Sequence, residues 1–295
     1  MAISLQTIKA GLTELGLKRG DVVLVHSDLR TLGRPRDLVK LPNCGADLVI
    51  DAFLDVVGPE GLVVFPVFTK AFEEGQPGPS GDVYDPESTR SRVGSITDIF
   101  RRREAAVRSL QPTHPVAAIG SRAEEFCEAP ADQSTFDRRG PWGKMHDWDG
   151  YVCWFGTDNR TNTTVHAVED WMDLPYMADA YALVRGPDGQ PVRTKVTKSP
   201  AGPRDFYREE SKAAKVLEAS GIIRTTQIGR AKVSLMKVRE LHAVLREAII
   251  ADPCLLLKEE TEGDEWTRRA REETVRHVRS KFGGPESPAC EAAHV

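Results

Sequence analysis

A histidine and two carboxylates lie close together in the segment 156–172. Glu169 follows His166 by three positions and Asp170 follows it by four, so the three side chains can share one face of a helix. A histidine titrates near neutral pH, and beside a carboxylate it can accept a proton from a reacting group. This spacing predicts a general base at His166. The alternative is a structural or solvated histidine that merely has acidic neighbours.

The flanking sequence predicts that His166 lies where a buried strand meets a helix. The apolar residues Tyr151–Phe155 indicate the strand, and Ala167–Met172 are typical of the helix. Thr161 or Asn162 is expected to cap the start of that helix. Open α/β sheets bind ligands at the carboxyl ends of their strands, and free N–H groups at a helix start attract negative charge. The junction is therefore the predicted functional site.

A second junction of this kind follows the first predicted strand. Val22–Val25 is a continuous apolar run, and His26, Ser27 and Asp28 come directly after it. Polar side chains at the carboxyl end of a central strand predict part of a binding site. The alternative is that they cap the element that follows.

Strand and helix patterns alternate along most of the chain, which predicts an α/β fold with a central, mostly parallel sheet. Strands are predicted at 22–25, 62–65, 116–119, 151–155 and 222–228, and helices at 4–16, 47–57, 91–103, 121–127, 206–219 and 236–250.

The remaining segments are less regular. A hairpin is predicted at 179–197, an irregular stretch at 129–149, and a surface loop or lid at 71–84. Residues 1–258 are expected to form one domain, and 259–295 a charged helix followed by a tail.

The composition argues against several classes of function. The 295 residues carry a formal net charge of −4, so neither nucleic acid nor a membrane surface is an expected partner. The 5 cysteines form no C-x-x-C pair, which argues against a disulfide framework and a structural zinc site and favours a reducing, cytoplasmic compartment. No signal peptide is evident, and no apolar run reaches membrane length. No metal cofactor is expected.

Arginines are concentrated between positions 90 and 103. The run Arg101–Arg103 stands at the end of the predicted helix 91–103, where cations complement the helix dipole. The alternative is that Arg90, Arg92 or this run binds the phosphates of a cofactor.

Ordered blocks of the sequence resemble the aminoglycoside 3-N-acetyltransferase family. The blocks are Asp21–Leu29, Leu62–Thr69, Asp85–Gly94, Phe100–Arg102, Val107–Ser109, Pro112–Ala118, Gly140–Lys144 and Asn162–Glu169. Each block is weak evidence alone, but their common order over roughly the first 175 residues is specific. The C-terminal third is similar to the family more loosely, as in Gly229–Met236.

The resemblance implies a single α/β/α domain of the antibiotic N-acetyltransferase type. It also implies acetyl-coenzyme A as the donor and an amino group of an aminoglycoside as the acceptor. The partner is therefore a small-molecule amine, and the protein is expected to be a monomer or a homodimer.

The family's motifs also imply roles for individual residues. His166 corresponds to the base, and Glu169 either holds its imidazole in one tautomer or merely anchors the helix. Thr164, Ser27 and His26 are expected beside the thioester or the pantetheine arm, and Arg92 is the candidate phosphate ligand.

The sequence departs from the family where the acceptor is expected to bind. Family members that modify aminoglycosides carry a Glu-x-Asp pair after the hairpin, whereas this chain has Lys198 and Pro200 there. Asp205 is the first acid in that loop. Asp28, Asp170 and Asp205 are therefore the candidate carboxylates for binding an amine. A different amine or acyl group is the corresponding alternative.

Three hypotheses follow. The first is direct acetyl transfer with His166 as base and no covalent acyl-enzyme. The second is a metal-dependent hydrolase that uses His166, Glu169 and Asp170 together with His26 or His114. The third is a non-catalytic binding protein on the same scaffold.

Overall fold

The computed structural model describes residues 3–69, 83–129, 134–186, 188–198, 204–206 and 210–283. The predicted loop at 71–84 lies almost entirely outside these ranges, and so does Pro200.

Within these ranges the chain alternates between strands and helices. The strands are β1 Val22–Ser27, β2 Leu62–Pro66, β3 Val107–Arg108, β4 Val116–Gly120, β5 Tyr151–Phe155, β6 Ala178–Arg185, β7 Pro191–Lys198, β8 Arg224–Ile228 and β9 Ala231–Lys237. The α-helices are α1 Leu5–Glu14, α2 Pro35–Leu38, α3 Ala46–Val57, α4 Ser95–Phe100, α5 Ala123–Cys127, α6 Pro141–Asp147, α7 Val165–Trp171, α8 Lys212–Ala219, α9 Val238–Ala251 and α10 Glu265–Phe282. Short 3₁₀ turns occur at Leu29–Thr31, Pro42–Gly45 and Asn159–Thr161.

Seven of these strands form one sheet in the order β3-β4-β2-β1-β5-β9-β8. The predicted α/β fold is confirmed, and the parallel pairings are those of the central strand β1 with β2 and with β5. The outer strands run antiparallel. Only Gly229 and Arg230 separate β8 from β9, and so short a connection can join only antiparallel neighbours. The predicted hairpin β6–β7 pairs separately from this sheet.

The central strands are buried on both faces, because helices cover each side of the sheet. Successive side chains of a strand point to opposite faces, so Leu24 joins one apolar core while Val23 and Val25 join the other. Helices α1, α3 and α4 contribute to the core with Val23, and α5 to α10 contribute to the core with Leu24. This is the α/β/α arrangement that the resemblance implies.

Several boundaries differ from the predictions. The stretch 129–149 is not irregular throughout, because Pro141–Asp147 forms α6. Proline suits the first turn of a helix, and a Cβ on Gly143 would lie 2.1 Å from the carbonyl oxygen of Arg138. Helix α4 begins at Ser95 rather than at 91, and α8 begins at Lys212 rather than at 206.

The predicted charged C-terminal helix is α10, and it is not solvated all round. Ala270, Thr274 and Val278 are buried along one side, while its arginines and glutamates mostly face outward. The division into a domain of 1–258 and a terminal segment stays a prediction. No helix in the described ranges combines the length and the apolar character needed to span a membrane.

Candidate active site

The central site is built where β5 ends and α7 begins. The helix starts at Val165, earlier than predicted, and its N-cap is Thr164 rather than Thr161 or Asn162. Asn162 nevertheless orders this start, because its buried Oδ1 accepts hydrogen bonds from the backbone N–H of Thr164 at 3.2 Å and from the Thr164 hydroxyl at 2.5 Å. Thr164 is therefore already engaged within the protein, and its predicted contact with a cofactor stays a prediction.

Helix α7 brings His166 and Glu169 into direct contact. The Nδ1 atom of His166 lies 2.7 Å from Oε2 of Glu169. The histidine is 4 % exposed and the glutamate 0 %, so solvent screens this pair very little. The i, i+3 spacing in the sequence therefore does place the two side chains on one face of a helix.

Arg204 completes the cluster, and no motif in the sequence marks it as a functional residue. Its Nε and Nη2 donate to the two carboxylate oxygens of Glu169 at 2.8 and 2.7 Å, and Nη2 also lies 2.6 Å from Nδ1 of His166. The Tyr176 hydroxyl donates to Oε1 of Glu169 at 3.0 Å. Arg204 reaches this position because the chain around it forms an antiparallel bridge with Leu257. No local pattern signals such a long-range contact.

The charges in the cluster determine the protonation of His166. Burial alone raises the pKa of Glu169, but the Arg204 charge and the hydrogen bonds from His166 and Tyr176 bring it below its ordinary value. Burial and then the Arg204 charge lower the pKa of His166, although Glu169 opposes them. The ionised carboxylate of Glu169 can only accept and the guanidinium of Arg204 can only donate, and both lie within hydrogen-bond distance of Nδ1. When the ring proton is on Nδ1 and is donated to Oε2, Nε2 is the basic nitrogen.

Aromatic rings surround the imidazole of His166. The ring centroids of Phe136 and His114 lie 5.3 and 6.3 Å from that of His166. Burial, together with His166 and Arg204, lowers the pKa of His114 to about 3, so His114 is neutral. Its Nδ1 lies 3.0 Å from the Thr113 hydroxyl. His114 therefore belongs to the low-dielectric wall that faces the base.

The end of β1 carries the other predicted polar residues. Nε2 of His26 and Oγ of Ser27 are buried and have no hydrogen-bond partner among the described residues. Burial lowers the pKa of His26 to about 4. Asp28 instead caps the 3₁₀ turn that follows and pairs with Arg30 at 2.6 Å, so the capping alternative holds for this residue.

A cavity of about 1100 Å³ lies near the end of β2 and the start of α4, and its lining is strongly basic. Among the described residues, four arginines and one carboxylate line it, namely Arg90, Arg92, Arg102, Arg185 and Asp98. Asp98 receives a hydrogen bond from Arg101 at 2.7 Å and lies 3.6 Å from Arg102. Arg92 makes no ion pair with a described residue.

The arginine run divides between the two predicted roles. Arg101 is the C-cap residue of α4, and Arg103 pairs with Asp47 and Asp51 at 2.9 and 2.5 Å. These two arginines therefore stabilise the helix end and its packing, as the dipole interpretation predicts. Arg102, with Arg92, faces the basic cavity instead.

A second cavity, of about 540 Å³, lies between the β6–β7 hairpin and the chain before α6. Its charged lining residues are Asp85, Glu87, Asp137, Arg185 and Lys195, so Arg185 borders both cavities.

Two of the predicted acceptor-binding carboxylates have identifiable surroundings. Asp170 accepts a hydrogen bond at 2.8 Å from Ser134, a residue that lines the second cavity, and burial raises the pKa of Asp170. Asp205 is tied through its backbone N–H to the carbonyl of Leu256 and lines neither cavity.

The hydrolase hypothesis finds no ligand set in the described part of the chain. No three histidine, cysteine or carboxylate side chains come together there in a way that could hold a metal ion. Glu169 and His166 are engaged with each other and with Arg204.

The family profile described as aminoglycoside 3-N-acetyltransferase matches residues 24–249. Aminoglycoside N(3)-acetyltransferase IV of Salmonella sp is 25 % identical over 248 residues, which cover 83 % of this chain and 87 % of the relative.

Solved structures of the same kind have a similar fold. AAC-IIIb, solved as a binary complex with CoASH, has a TM-score of 0.72 at 22 % identity and covers 87 % of this chain and 99 % of its own. A histidine-to-alanine variant of AAC(3)-IVa, solved in complex with a gentamicin, has a TM-score of 0.73 at 24 % identity. The superposition covers 92 % of this chain and 98 % of that structure's chain. With the profile covering more than half of its length, the chain belongs to the aminoglycoside 3-N-acetyltransferase family of acyltransferases.

Proposed function

We propose that this protein transfers an acetyl group from acetyl-coenzyme A to an amino group of an aminoglycoside, at the 3-N position, or of a related amino sugar. The observation that carries the proposal is the buried His166–Glu169 pair at the carboxyl edge of the central sheet. A basic cavity and a cavity with three carboxylates lie near this edge, and they share Arg185 in their linings.

An amine must lose a proton to attack an acyl group and form an amide. A sugar amine is mostly protonated near neutral pH, so the reaction needs a base close to the nucleophile. His166 fits this role because its lowered pKa keeps the ring neutral, and a ring proton on Nδ1, donated to Glu169, leaves Nε2 to accept the proton. Glu169 then stabilises the imidazolium that forms.

The basic cavity fits the phosphates of coenzyme A. Arginines bind phosphate through paired N–H groups, and Arg92 is available for this because it makes no ion pair with a described residue. The hydroxyls of Ser91 and Thr69 add neutral polar groups to the lining. When bound there, acetyl-coenzyme A supplies a thioester whose carbonyl carbon accepts the amine. The buried Oγ of Ser27, which has no hydrogen-bond partner in the described part of the chain, is one polar atom at the strand edge that a ligand can satisfy.

The second cavity is the candidate acceptor site. Asp85, Glu87 and Asp137 can bind ammonium groups, and the half-buried Asp170 is hydrogen-bonded to Ser134 at its wall. Arg185 and Lys195 offset two of these charges, which favours an acceptor with fewer ammonium groups than most aminoglycosides carry. Acylation of such an amine by an acyl-coenzyme A is therefore the second candidate function.

The test is thiol release from acetyl-coenzyme A in the presence of aminoglycosides or simple amino sugars. We expect release that depends on the amine, and a His166→Ala variant should lose about 10²–10⁴-fold in rate. His277→Ala is the matched control, because His277 lies on α10 with its Nε2 2.9 Å from the Met172 carbonyl.

Each outcome decides between the candidates. Release with aminoglycosides that disappears in His166→Ala supports the first function. Release only with amines of lower charge supports the second. Unchanged turnover in His166→Ala removes His166 as the base, and no release with any amine contradicts both functions.

A further inference from the structure

Arg204 is a buried cation in contact with both members of the His166–Glu169 pair. It is 3 % exposed, and the distances from its guanidinium to Oε1, Oε2 and Nδ1 are 2.8, 2.7 and 2.6 Å. Removing a guanidinium from water costs several kcal/mol unless its partners are well placed. A cation beside a base also opposes protonation of that base. A buried cation in this position therefore affects the proton affinity and the orientation of His166.

We propose that Arg204 is a positioning residue that fixes the orientation of the Glu169 carboxylate and thereby presents His166 in a single tautomer, with Nε2 as the proton acceptor. This inference rests on the proposed function, in which His166 is the base. It adds a third member to the pair and assigns it a task distinct from that of Glu169.

The first argument is geometric. Arg204 contacts both oxygens of Glu169 with two N–H groups in one plane, so the carboxylate cannot rotate without losing a hydrogen bond. Tyr176 donates to the same Oε1 that accepts from Nε of Arg204, which leaves Oε2 directed at Nδ1 of His166. A lysine at this position would be a point charge without the planar fork, and it would not fix the plane of the carboxylate.

The second argument concerns charge. Among the described residues, the titratable groups that face the cluster are Glu169 on α7, Tyr176 after α7, His114 before β4 and Arg204 itself, with Cys254 near Tyr176. His114 is neutral, and burial raises the pKa of Tyr176 well above its ordinary value. Within this described set, the charges of Glu169 and Arg204 balance while the His166 ring is neutral, and protonation of the ring adds one positive charge. Arg204 thus keeps the base free at neutral pH and favours release of the proton after the transfer.

The third argument is how the backbone holds Arg204. Arg204 forms an antiparallel bridge with Leu257, and the N–H of Asp205 donates to the carbonyl of Leu256. Phe206 is 1 % exposed and packs in the same apolar core as Leu24. The backbone that carries the guanidinium is thus held by contacts with the C-terminal part of the chain. A group held in this way can orient its partner.

The experiment is an NMR titration of the free enzyme with ¹⁵N-labelled histidine, using His166→Gln to assign the signal. In the unaltered protein we expect neutral His166 with its proton on Nδ1. In Arg204→Met we expect the pKa of His166 to rise by about 1–3 units, because a like charge in contact with the ring is removed. The acidic limb of kcat/KM should move to higher pH by the same amount.

Two further variants separate charge, geometry and general destabilisation. Arg204→Lys keeps the charge, so the titration of His166 should stay close to that of the unaltered protein while kcat falls about 10–100-fold through misplacement of the carboxylate. Arg271→Met is the matched control, because Arg271 is also buried, at 8 % exposure, but hydrogen-bonds to the carbonyl of Lys258 and lies 3.3 Å from Glu259. It should leave the His166 titration unchanged.

The outcomes distinguish this inference from the proposed function. An Arg204→Met protein that is folded, and in which His166 keeps its tautomer and its pKa, overturns the role of Arg204 even if His166→Ala is inactive. An Arg204→Lys protein that titrates like Arg204→Met overturns the role of charge. Full turnover in His166→Ala contradicts the base assignment instead, and the NMR titration does not depend on turnover.

Discussion

The buried ion pair between Glu169 and Arg204 allows a quantitative prediction of stability. In Glu169→Met, Arg204 loses its contacts with both carboxylate oxygens, and the Tyr176 hydroxyl loses its acceptor. Removing the oppositely charged group from a buried ion pair costs about 3–5 kcal/mol. For a chain of this size, 1 kcal/mol corresponds to about 2–4 °C in Tm, so we expect Tm to fall by roughly 10 °C.

Arg204→Met should lower the free energy of unfolding by less than Glu169→Met does. The carboxylate would keep its hydrogen bonds from Tyr176 and His166, and it can also take up a proton, whereas a guanidinium cannot lose one. In the double variant neither charge is buried, and two methionines fill a similar volume. Replacing a buried ion pair by apolar groups is often nearly neutral, so we expect the double variant to be more stable than either single variant.

Urea unfolding of the three variants and the unaltered protein gives the coupling energy directly. We expect the pair to be coupled by at least about 3 kcal/mol, with the double variant still inactive because Nδ1 of His166 has lost its acceptor. Additive losses, in which the double variant is less stable than both single variants, would refute the argument that the two charges depend on each other.

Three further predictions follow from features elsewhere in the molecule. Arg92→Ala should raise KM for acetyl-coenzyme A about tenfold or more, with a smaller change in kcat. Steady-state kinetics at low and high salt measure both constants, and added salt should reduce the difference in KM because it weakens a phosphate contact. Burial lowers the pKa of His114 and His242 to about 3 in the folded protein, whereas an unfolded histidine has a pKa of ~6.5. Between these two pH values the unfolded chain binds more protons than the folded protein does. We therefore expect the free energy of unfolding to fall as the pH drops below about 6.5. Urea titrations at several pH values check the sign, and constant stability between pH 7 and about pH 5 would contradict it. Gly120→Ala should lower Tm much more than Gly20→Ala. Both glycines have positive φ, but a Cβ at Gly120 would meet a backbone carbonyl oxygen at 2.2 Å, while nothing lies within 4 Å of a Cβ at Gly20. Thermal unfolding compares the two variants, and equal losses of Tm would contradict the steric argument.

Local sequence patterns account for the central strands and for the core of the site. Tyr151–Phe155 is a strand with the predicted bounds, because a short apolar run that is rich in aromatic residues and flanked by glycines is typical of a buried strand. The contact between His166 and Glu169 follows from helical spacing, which depends on neighbouring residues alone.

The remaining features depend on contacts between distant parts of the chain. Arg204 and Glu169 are 35 positions apart, and nothing near Arg204 in the sequence distinguishes it from a surface arginine in a loop rich in proline and glycine. Helix α6 was wrongly predicted as irregular because Gly140–Gly143 suits a turn equally well. The antiparallel outer strands depend on which neighbour each strand meets, and periodicity does not encode this.

The strand order of the sheet determines when the site can form during synthesis. Strand β1 can pair with β2 as soon as residue 66 has left the ribosome. The other edge of β1 stays unpaired until β5 has been made, and the far edge of β5 stays unpaired until β9 has been made. The bridge that places Arg204 needs Leu257 as well. A nascent chain therefore carries His26 and Ser27 early on an incomplete sheet, and it assembles the base with its carboxylate and arginine only after Leu257 has been made.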